Sequence, residues 1–300
     1  MEFAYFQRTD SMNKAVALLA LVTLVAGCKT TPPTPQEQSL TGMRCRIFAT
    51  TKDISRDWVE YIREASDNGN PQCQIALGVL YEFGRGLPQD MGKAKALYES
   101  VAADDAAGYE QLARMAEEGS GQVADASEAR RLYQRVQPGS AYSDARLARL
   151  MEEGRGGPQD LSGAMTHYLN ASRYVGDTPW EGVQRVRAQG LAMTAEQVER
   201  YNTIWYESTG NSLSGTVGDM EFALKKQIKP GSASKPVTLE IKGKPGSLVP
   251  EIILVESSGN AAVDQAVLEA FGNYRFPAEP IMKAGQESWS SKLSVRAGLN

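Results

Sequence analysis

The chain has 300 residues, of which 42% are apolar and 23% charged, and its formal net charge is −4. This length allows two domains, each with a core of its own. A negative net charge offers no clustered basic surface for nucleic acid, and a single histidine, His167, disfavours metal centres and catalytic triads.

The N-terminal segment has the pattern of a secretory signal. After Lys14 the chain reads AVALLALVTLVAG and reaches Cys28. A helix this short, at about 1.5 Å per residue, cannot cross a hydrocarbon core of about 30 Å. The stretch 24–28, LVAGC, resembles the bacterial lipobox, in which the cysteine is acylated and becomes the new N-terminus. We therefore expect residues 1–27 to be a lipoprotein signal peptide whose true start is Met12. The alternative is an ordinary cleaved signal that happens to precede a cysteine.

Acylation of Cys28 predicts a membrane-anchored protein. Lys29, rather than aspartate, follows the cysteine. In lipoproteins this pattern implies sorting to the outer membrane, so we expect an outer-membrane lipoprotein on the periplasmic face. Residues 28–42 are expected to form an acylated, extended tether, because the stretch TTPPTPQEQS at 30–39 cannot form a core.

The middle of the chain is a repeat. A pair of glycines recurs three times, from 84 to 119 to 154, a step of 35 residues: Gly84 and Gly86, Gly119 and Gly121, Gly154 and Gly156. Aspartate, alanine and tyrosine recur at the same step: Asp90, Asp125 and Asp160; Ala94, Ala129 and Ala164; Tyr98, Tyr133 and Tyr168. A phosphate-binding loop occurs once and follows a strand, so three copies indicate the turn of a helical hairpin. We expect the glycines to take positive φ, the aspartates to cap the next helix, and the units to stack into a solenoid.

This pattern resembles Sel1-like repeats, which are relatives of tetratricopeptide repeats. The residues that carry the resemblance are Ala76-Leu77-Gly78, Tyr81, Gly84-x-Gly86, Asp90, Ala94, Tyr98 and Ala102. The resemblance covers about 55–178 and implies an adaptor or scaffold that binds proteins. With a C-terminal cap, we expect the solenoid to span 43–207.

Several polar residues of the repeats are interpreted as structural. His167 occupies a position that holds leucine in the other units, so a packed histidine is expected. The pairs Glu117-Glu118 and Glu152-Glu153 are expected to be solvated helix ends. Cys45 and Cys73, the cysteines left after acylation of Cys28, are predicted to form a disulfide between the N-terminal segment and the first repeat helix. The alternative is two buried free thiols.

The pattern changes in the C-terminal part. The stretch STGNSLSGT predicts a flexible linker at 208–216. Alternation at 237–242 and 248–256 predicts a hairpin, a helical stripe at 261–271 predicts a helix capped by Asn260, and alternation at 289–296 predicts a third strand.

This order of elements, with Tyr274-Arg275-Phe276-Pro277 after the helix, resembles the C-terminal domain of TonB and TolA, over 217–300. The resemblance implies that an exposed sheet edge pairs with an extended segment of a partner. We expect the third strand, 288–296, to be that edge, with its partner-binding residues being Ser290, Lys292, Ser294 and Arg296. The alternative is an edge that Lys292 and Arg296 blunt and that pairs with nothing.

The expected fold is thus an all-α repeat solenoid followed by a small α+β domain with a three-stranded antiparallel sheet and two helices. The expected function is a non-enzymatic scaffold lipoprotein that binds envelope proteins in a secretion or polysaccharide-export assembly. No cofactor, small-molecule substrate or nucleic acid is expected. The alternatives are TonB-like coupling of energy to outer-membrane transport and activation of a cell-wall enzyme.

Overall fold

The computed structural model describes residues 34–136, 139–282 and 285–299. Cys28 and the predicted signal peptide lie outside the described residues. The chain forms two compact units, Met1–Asp90 and Met91–Asn300. The boundary between these units falls inside the first repeat and not at the predicted linker, 208–216.

The described residues of the first unit, 34–90, form three helices: α1 (Pro35–Thr50), α2 (Arg56–Asp67) and α3 (Pro71–Phe83). Helix α1 corrects the prediction of an extended tether, because residues 35–42 are helical. Thr34 caps this helix and forms a capping box with Glu37, and Pro35 occupies the first turn, where its missing N–H has no partner to lose. Near the other end of α1, Phe48 stacks on Trp58 of α2 at 3.5 Å between ring centroids.

A disulfide joins α1 to α3, as predicted. Cys45 and Cys73 are fully buried, and their Cα atoms lie 5.1 Å apart. The bond closes a loop with a sequence separation of 28 residues, which contains α2.

The second unit contains helices and a sheet. The helices are α4 (Met91–Ala102), α5 (Ala106–Glu118), α6 (Ala126–Arg135), α7 (Ala141–Glu152), α8 (Leu161–Ala171), α9 (Thr178–Ala188), α10 (Ala195–Leu224) and α11 (Ala261–Phe271). The strands are β1 (Val237–Gly243), β2 (Glu251–Glu256) and β3 (Trp289–Val295). From α4 to α9 each helix packs on the next, which is the arrangement of a helical repeat solenoid and confirms the predicted fold.

The repeated glycines form the turns between helices. All six have positive φ, between 62° at Gly84 and 73° at Gly119. At each turn the residue after the first glycine donates its backbone N–H to a carbonyl five residues back, as in Arg155 to Leu150 at 2.9 Å. This is the Schellman pattern that ends a helix on glycine. The predicted caps are confirmed at Asp125 and Asp160, whose carboxylates accept backbone N–H groups of α6 and α8.

Small and aromatic residues at the repeat step build the core. Ala94, Ala129 and Ala164 are fully buried, and the tyrosines that follow them by four residues are at most 3% exposed. Alanine lets neighbouring helices approach closely, and tyrosine fills the space between them. The core cluster that contains Ala129, Tyr133, Ala164 and Tyr168 continues through α10 into the sheet.

Helix α10 replaces the predicted linker. Residues 208–216 lie inside this 30-residue helix, which begins at a capping box formed by Thr194 and Gln197. The glycines and serines at 208–216 lower helix propensity, but Thr209, Leu213, Met220 and Leu224 follow at helical spacing and are buried. Burial of this apolar stripe therefore outweighs the weak propensity of the segment.

The sheet has the strand order β2-β1-β3, with both pairs antiparallel. Leu239 of the central strand pairs with Leu254 of β2 and Leu293 of β3. Asn260 caps α11 as predicted, and its side chain accepts the N–H groups of Ala262 and Val263. The three-stranded antiparallel sheet followed from the sequence, whereas the first of the two expected helices proves to be the C-terminal part of α10.

A first test concerns the helical state of 208–216. Alanine in place of Gly210, Gly215 or Gly218 meets no atom within 4 Å. In a helix, each substitution should raise the free energy of unfolding by about 0.5–1 kcal/mol, because glycine has the higher entropy when unfolded. Urea denaturation of the three variants measures this gain.

The matched control is Gly182→Ala in α9, where the added Cβ would lie 2.5 Å from the ring of Tyr168. This variant should lose about 1–3 kcal/mol through overpacking. Unchanged stability of the Gly210→Ala and Gly215→Ala variants, which lie within 208–216, would mean that this segment is not helical. Gly218→Ala tests the helix two residues beyond it.

A second test concerns the disulfide. Replacing Cys45 and Cys73 together by alanine should destabilise the first unit by about 3–4 kcal/mol, because the unfolded chain regains the entropy of an open loop. Hydrogen exchange of the full chain should then be faster in α1 to α3, while the amides of β1 report on global unfolding. Reaction of the unreduced wild type with a thiol reagent at both cysteines would contradict the disulfide.

Candidate interaction surfaces

A polar network is repeated inside the second unit. The carboxylate of Glu117 accepts hydrogen bonds from the Tyr133 hydroxyl at 3.1 Å and from Arg146 Nε at 2.8 Å. One step of the repeat later, Glu152 accepts from the Tyr168 hydroxyl at 2.6 Å and from Arg185 Nη2 at 3.1 Å. Each glutamate thus receives a tyrosine from the next helix and an arginine from a later one.

These contacts correct the interpretation of the glutamate pairs. Glu117 and Glu152 are only 9% exposed, so they are buried network members rather than solvated helix ends. Their neighbours Glu118 and Glu153 are the solvent-facing members, with side chains 42% and 36% exposed. The sequence contains a signal for this network. Glutamate recurs at 82, 117 and 152, with the same step of 35 residues as the tyrosines.

The network keeps its tyrosines protonated. Burial raises the pKa of Tyr168, and the Glu152 carboxylate that accepts its hydrogen bond raises it further. Burial likewise raises the pKa of Tyr133. Both hydroxyls therefore act as hydrogen-bond donors that fix helix packing.

His167 is hydrogen-bonded as well as packed. Its Nδ1 lies 2.8 Å from Oδ1 of Asp144, whose side chain is 7% exposed. The predicted role as a packed repeat residue holds, and the structure adds a polar partner on α7 that the sequence did not indicate. Within residues 34–136, 139–282 and 285–299, no group of histidine, cysteine, aspartate and glutamate side chains is arranged to hold a metal ion.

Grooves between helices mark the surface of the described repeats. The first, of about 350 Å³, lies among α4, α5 and α6 and includes Lys95, Glu128 and Arg131. The second, of about 450 Å³, includes Arg146, Arg149 and Arg185 together with Glu152 and Glu153. Both grooves combine charged side chains with apolar ones, which suits a protein partner with polar and apolar contacts.

Side chains of α10 hold the segment that leads to β3. Tyr201 donates its hydroxyl to the Glu279 carbonyl at 2.9 Å, and the Trp205 indole N–H donates to the Ala278 carbonyl. Asn202 binds the backbone of Ile281 twice, by donating to its carbonyl at 2.8 Å and accepting its N–H at 2.9 Å. No local sequence signal pointed to these contacts, because the partners lie more than 70 residues apart, 79 in the case of Asn202 and Ile281.

The predicted edge strand lies at an edge of the sheet. Ser290, Lys292, Ser294 and Arg296 are exposed, while Leu293 and Val295 of β3 lie on the face shared with Leu239 and Val237. The backbone N–H of Arg296 already donates to the Glu221 carboxylate of α10 at 2.6 Å. Partner binding by this edge remains a prediction, and α10 covers its C-terminal end.

The opposite edge, β2, is more apolar than the sequence indicated. Leu254 and Val255 are 37% and 40% exposed. The register between β1 and β2 shifts between Thr238 and Leu239, which leaves Val255 without a partner residue on β1. Among the described residues, no strand pairs with the outer side of β2.

Comparison with known families assigns the repeats. The model of the Sel1 repeat matches residues 71–104, 106–135 and 141–173. These three segments are Sel1 repeats. They coincide with the glycine-turn units found by the 35-residue step.

Two solved structures are similar to this chain. One is c5321, a protective antigen of uropathogenic Escherichia coli strains with an SLR fold, at 19% identity and a TM-score of 0.46, covering 64% of this chain. The other is a Sel1 repeat protein from Oxalobacter formigenes, at 21% identity and a TM-score of 0.44, covering 64% of this chain and 80% of its own. This chain spans 40% of the length of c5321. Because both TM-scores lie below 0.5, neither structure supports an inference about function, and no curated protein matches the chain.

Sel1 repeats typically mediate protein–protein interactions, so the grooves of the repeats are candidate functional surfaces. In the described part of the chain, none of the helices has the length and apolar character needed to span a membrane.

A third test addresses the network of the Sel1 repeats. Glu152→Gln removes the charge that holds Arg185 and Tyr168, and should lower the free energy of unfolding by about 1.5–3 kcal/mol. Glu153→Gln, one residue away and more exposed, should change it by less than about 1 kcal/mol. Urea denaturation of both variants measures the two losses. Equal losses would show that the buried network contributes no more to the free energy of unfolding than the exposed contacts of Glu153.

Proposed function

We propose that this protein is a non-enzymatic scaffold of the bacterial envelope that binds partner proteins through its Sel1 repeats and through an edge of its C-terminal sheet. The observation that carries the proposal is the array of three Sel1 repeats, with charged and apolar grooves on its surface. The partners proposed are components of an envelope assembly such as a secretion or polysaccharide-export machine.

The C-terminal part supports the second binding mode. Its elements follow the order end of α10, hairpin, α11 and β3, and its sheet has two strand edges in the described structure. An extended segment that adds to a sheet edge gains main-chain hydrogen bonds, and side-chain contacts give it specificity. This order of elements resembles that of the C-terminal domain of TonB and TolA.

The proposed location is the periplasmic face of the outer membrane, through acylation at Cys28. The disulfide between Cys45 and Cys73 supports an oxidising compartment, since such bonds are rare where thiols are kept reduced. The lipobox-like sequence before Cys28 supports the anchor.

A fourth test identifies the binding surface. A photo-crosslinking amino acid is placed at Arg149 in the second repeat groove, at Ser294 on the β3 edge, and at Val123, which is 89% exposed in a turn outside both grooves. In cells, Arg149 and Ser294 should yield discrete crosslinked envelope proteins that mass spectrometry identifies, whereas Val123 should not. Equal labelling at all three positions, or none at the first two, would refute the scaffold.

A fifth test addresses the anchor. Cys28→Ala should abolish acylation and release the protein from the membrane fraction, because stable anchoring needs the acyl chains. Fractionation and intact-mass measurement of both forms check this, and Cys28→Ala protein that stays in the membrane fraction would contradict the anchor.

A further inference from the structure

Helix α1 of the first unit has an exposed apolar stripe. Leu40, Met43 and Ile47 stand at the spacing i, i+3 and i+7, which places them on one helical face. They are 46%, 42% and 52% exposed, so none of them belongs to the core of the unit. We call these three residues the α1 stripe.

The α1 stripe faces away from the helices on which α1 packs. Each of its members lies two positions before a buried residue, Gly42, Cys45 or Ala49. Two positions on a helix turn through about 200°, so the buried residues occupy nearly the opposite face. The disulfide of Cys45 fixes that face on α3, and so does Gly42, where an added Cβ would lie 2.5 Å from the Gln72 side chain. Rotation of α1 therefore cannot bury the stripe within the first unit.

An arginine stands on each side of the α1 stripe. Arg44 follows Leu40 by four positions, which places it beyond one side of the stripe. Arg46 follows Met43 by three positions, which places it beyond the other side. Both arginine side chains are exposed. An apolar stripe between basic side chains is the pattern of a helix that lies in a membrane interface.

The distance to the proposed anchor favours a membrane as the occupant of the stripe. Five residues, 29–33, separate Cys28 from Thr34. The six steps between their Cα atoms cover at most about 21 Å, less than the length of about 24 Å of the 16-residue helix α1 itself. A bilayer that holds acyl chains on Cys28 is therefore within reach of the stripe, at an effective concentration on the order of 1 mM.

The charge of this part of the chain also suits a bilayer surface. Residues 29–50 include three basic side chains, Lys29, Arg44 and Arg46, and one acidic side chain, Glu37. The Glu37 carboxylate takes part in the capping box at the first turn of α1. Each basic residue close to an anionic membrane contributes about fivefold to binding. The segment is therefore attracted to anionic phospholipid headgroups.

We propose that α1 is an interfacial helix of the membrane that holds the Cys28 anchor. Its stripe inserts among the headgroups, and Arg44 and Arg46 bind phosphate groups of anionic phospholipids. Since α3 is joined to the opposite face of α1, it is held on the side away from the bilayer. This role of α1 adds to the proposed scaffold function and rests on the proposed anchor at Cys28.

Fluorescence quenching on vesicles tests the position of the stripe. The mature chain, residues 28–300, is coupled through Cys28 to a maleimide-bearing lipid, while Cys45 and Cys73 are held in the disulfide and do not react. The vesicles contain phosphatidylethanolamine, phosphatidylglycerol and a phospholipid with a doxyl quencher high in its acyl chain. A fluorescent amino acid replaces Met43 in one sample and, in the other, Val123, which is 89% exposed in a loop of the repeats.

The doxyl lipid should remove at least about half of the fluorescence at Met43, because an interfacial helix places its apolar face about 5–10 Å into the boundary of headgroups and acyl chains. The fluorescence at Val123 should not change. When phosphatidylcholine replaces phosphatidylglycerol, the quenching at Met43 should decrease, because the vesicle surface loses its negative charge.

A first pair of variants tests the apolar contact. Leu40→Gln with Ile47→Gln retains the helix propensity of α1 and should restore at least about half of the quenched fluorescence. The matched control is Leu248→Gln with Val249→Gln in the second unit. It removes two apolar side chains of similar exposure, 43% and 50%, and should leave the quenching unchanged.

A second pair tests the charge. Arg44→Gln with Arg46→Gln should lower the ratio of docked to undocked α1 about tenfold or more, since each arginine contributes about fivefold. The matched control, Arg173→Gln with Arg200→Gln, removes two exposed arginines of the second unit and should have no effect. Circular dichroism melting shows whether each variant is folded, and Ile47→Gln alone serves if the double variant of the stripe is not.

Absence of quenching at Met43, equal quenching at Val123, or equal effects of a double variant and its control would each overturn the interfacial helix. In the first case the stripe faces water or a protein. An acylated protein without quenching at Met43 would keep the anchor and the scaffold and overturn the interfacial helix alone. If the fifth test shows no acylation, the anchor is wrong, and quenching of the coupled chain would still support the interfacial helix.

Discussion

The second unit depends on one helix, α10, through which a single core cluster continues from the repeats to the sheet. On one side Tyr201 packs against Trp180 of α9, with ring centroids 4.6 Å apart. On the other, Trp205 packs against Phe276 at 5.7 Å, next to the sheet. A three-stranded sheet needs a helix or a second layer to bury its apolar face. Here α10 shares that role with α11, whose Val263, Val267 and Phe271 are buried in the same core cluster as the sheet. The stability of the repeats and that of the sheet are therefore coupled, because both bury apolar side chains against the same helix.

Inside the repeats, order depends on polar as well as apolar contacts. The Glu152 carboxylate would be costly to bury alone, and it is stable because Tyr168 and Arg185 satisfy it. Since the hydroxyl comes from α8 and the guanidinium from α9, the network is complete only when three successive helices are in place. The network therefore fixes the register of these three helices relative to one another. Packing of alanine and leucine alone would define that register less sharply.

The parts of the structure that the sequence predicted are those with a local or periodic cause. The glycine turns, the caps at Asp125 and Asp160, and the alternating burial of β1 follow from residues close together in the chain or repeated at one step. The prediction of a linker at 208–216 was wrong because the glycines and serines of this stretch are typical of a loop. Leu213, Met220 and Leu224 nevertheless stand at helical spacing. The α1 helix was missed despite its capping box, since prolines dominated that stretch. The hydrogen bonds between Asn202 and Ile281 join residues 79 positions apart, a separation at which a single sequence carries no signal.

The disulfide of the first unit also decides how this chain responds to pulling. A tension applied between its N-terminal end and the repeats passes from Cys45 directly to Cys73, because the covalent bridge is the shorter path. The intervening loop, with a sequence separation of 28, would otherwise extend by about 95 Å at roughly 3.4 Å per residue. With the disulfide in place, the loop cannot extend, and helix α2 bears no tension. The length of the chain under tension is therefore limited by a covalent bond and not by the strength of helix packing.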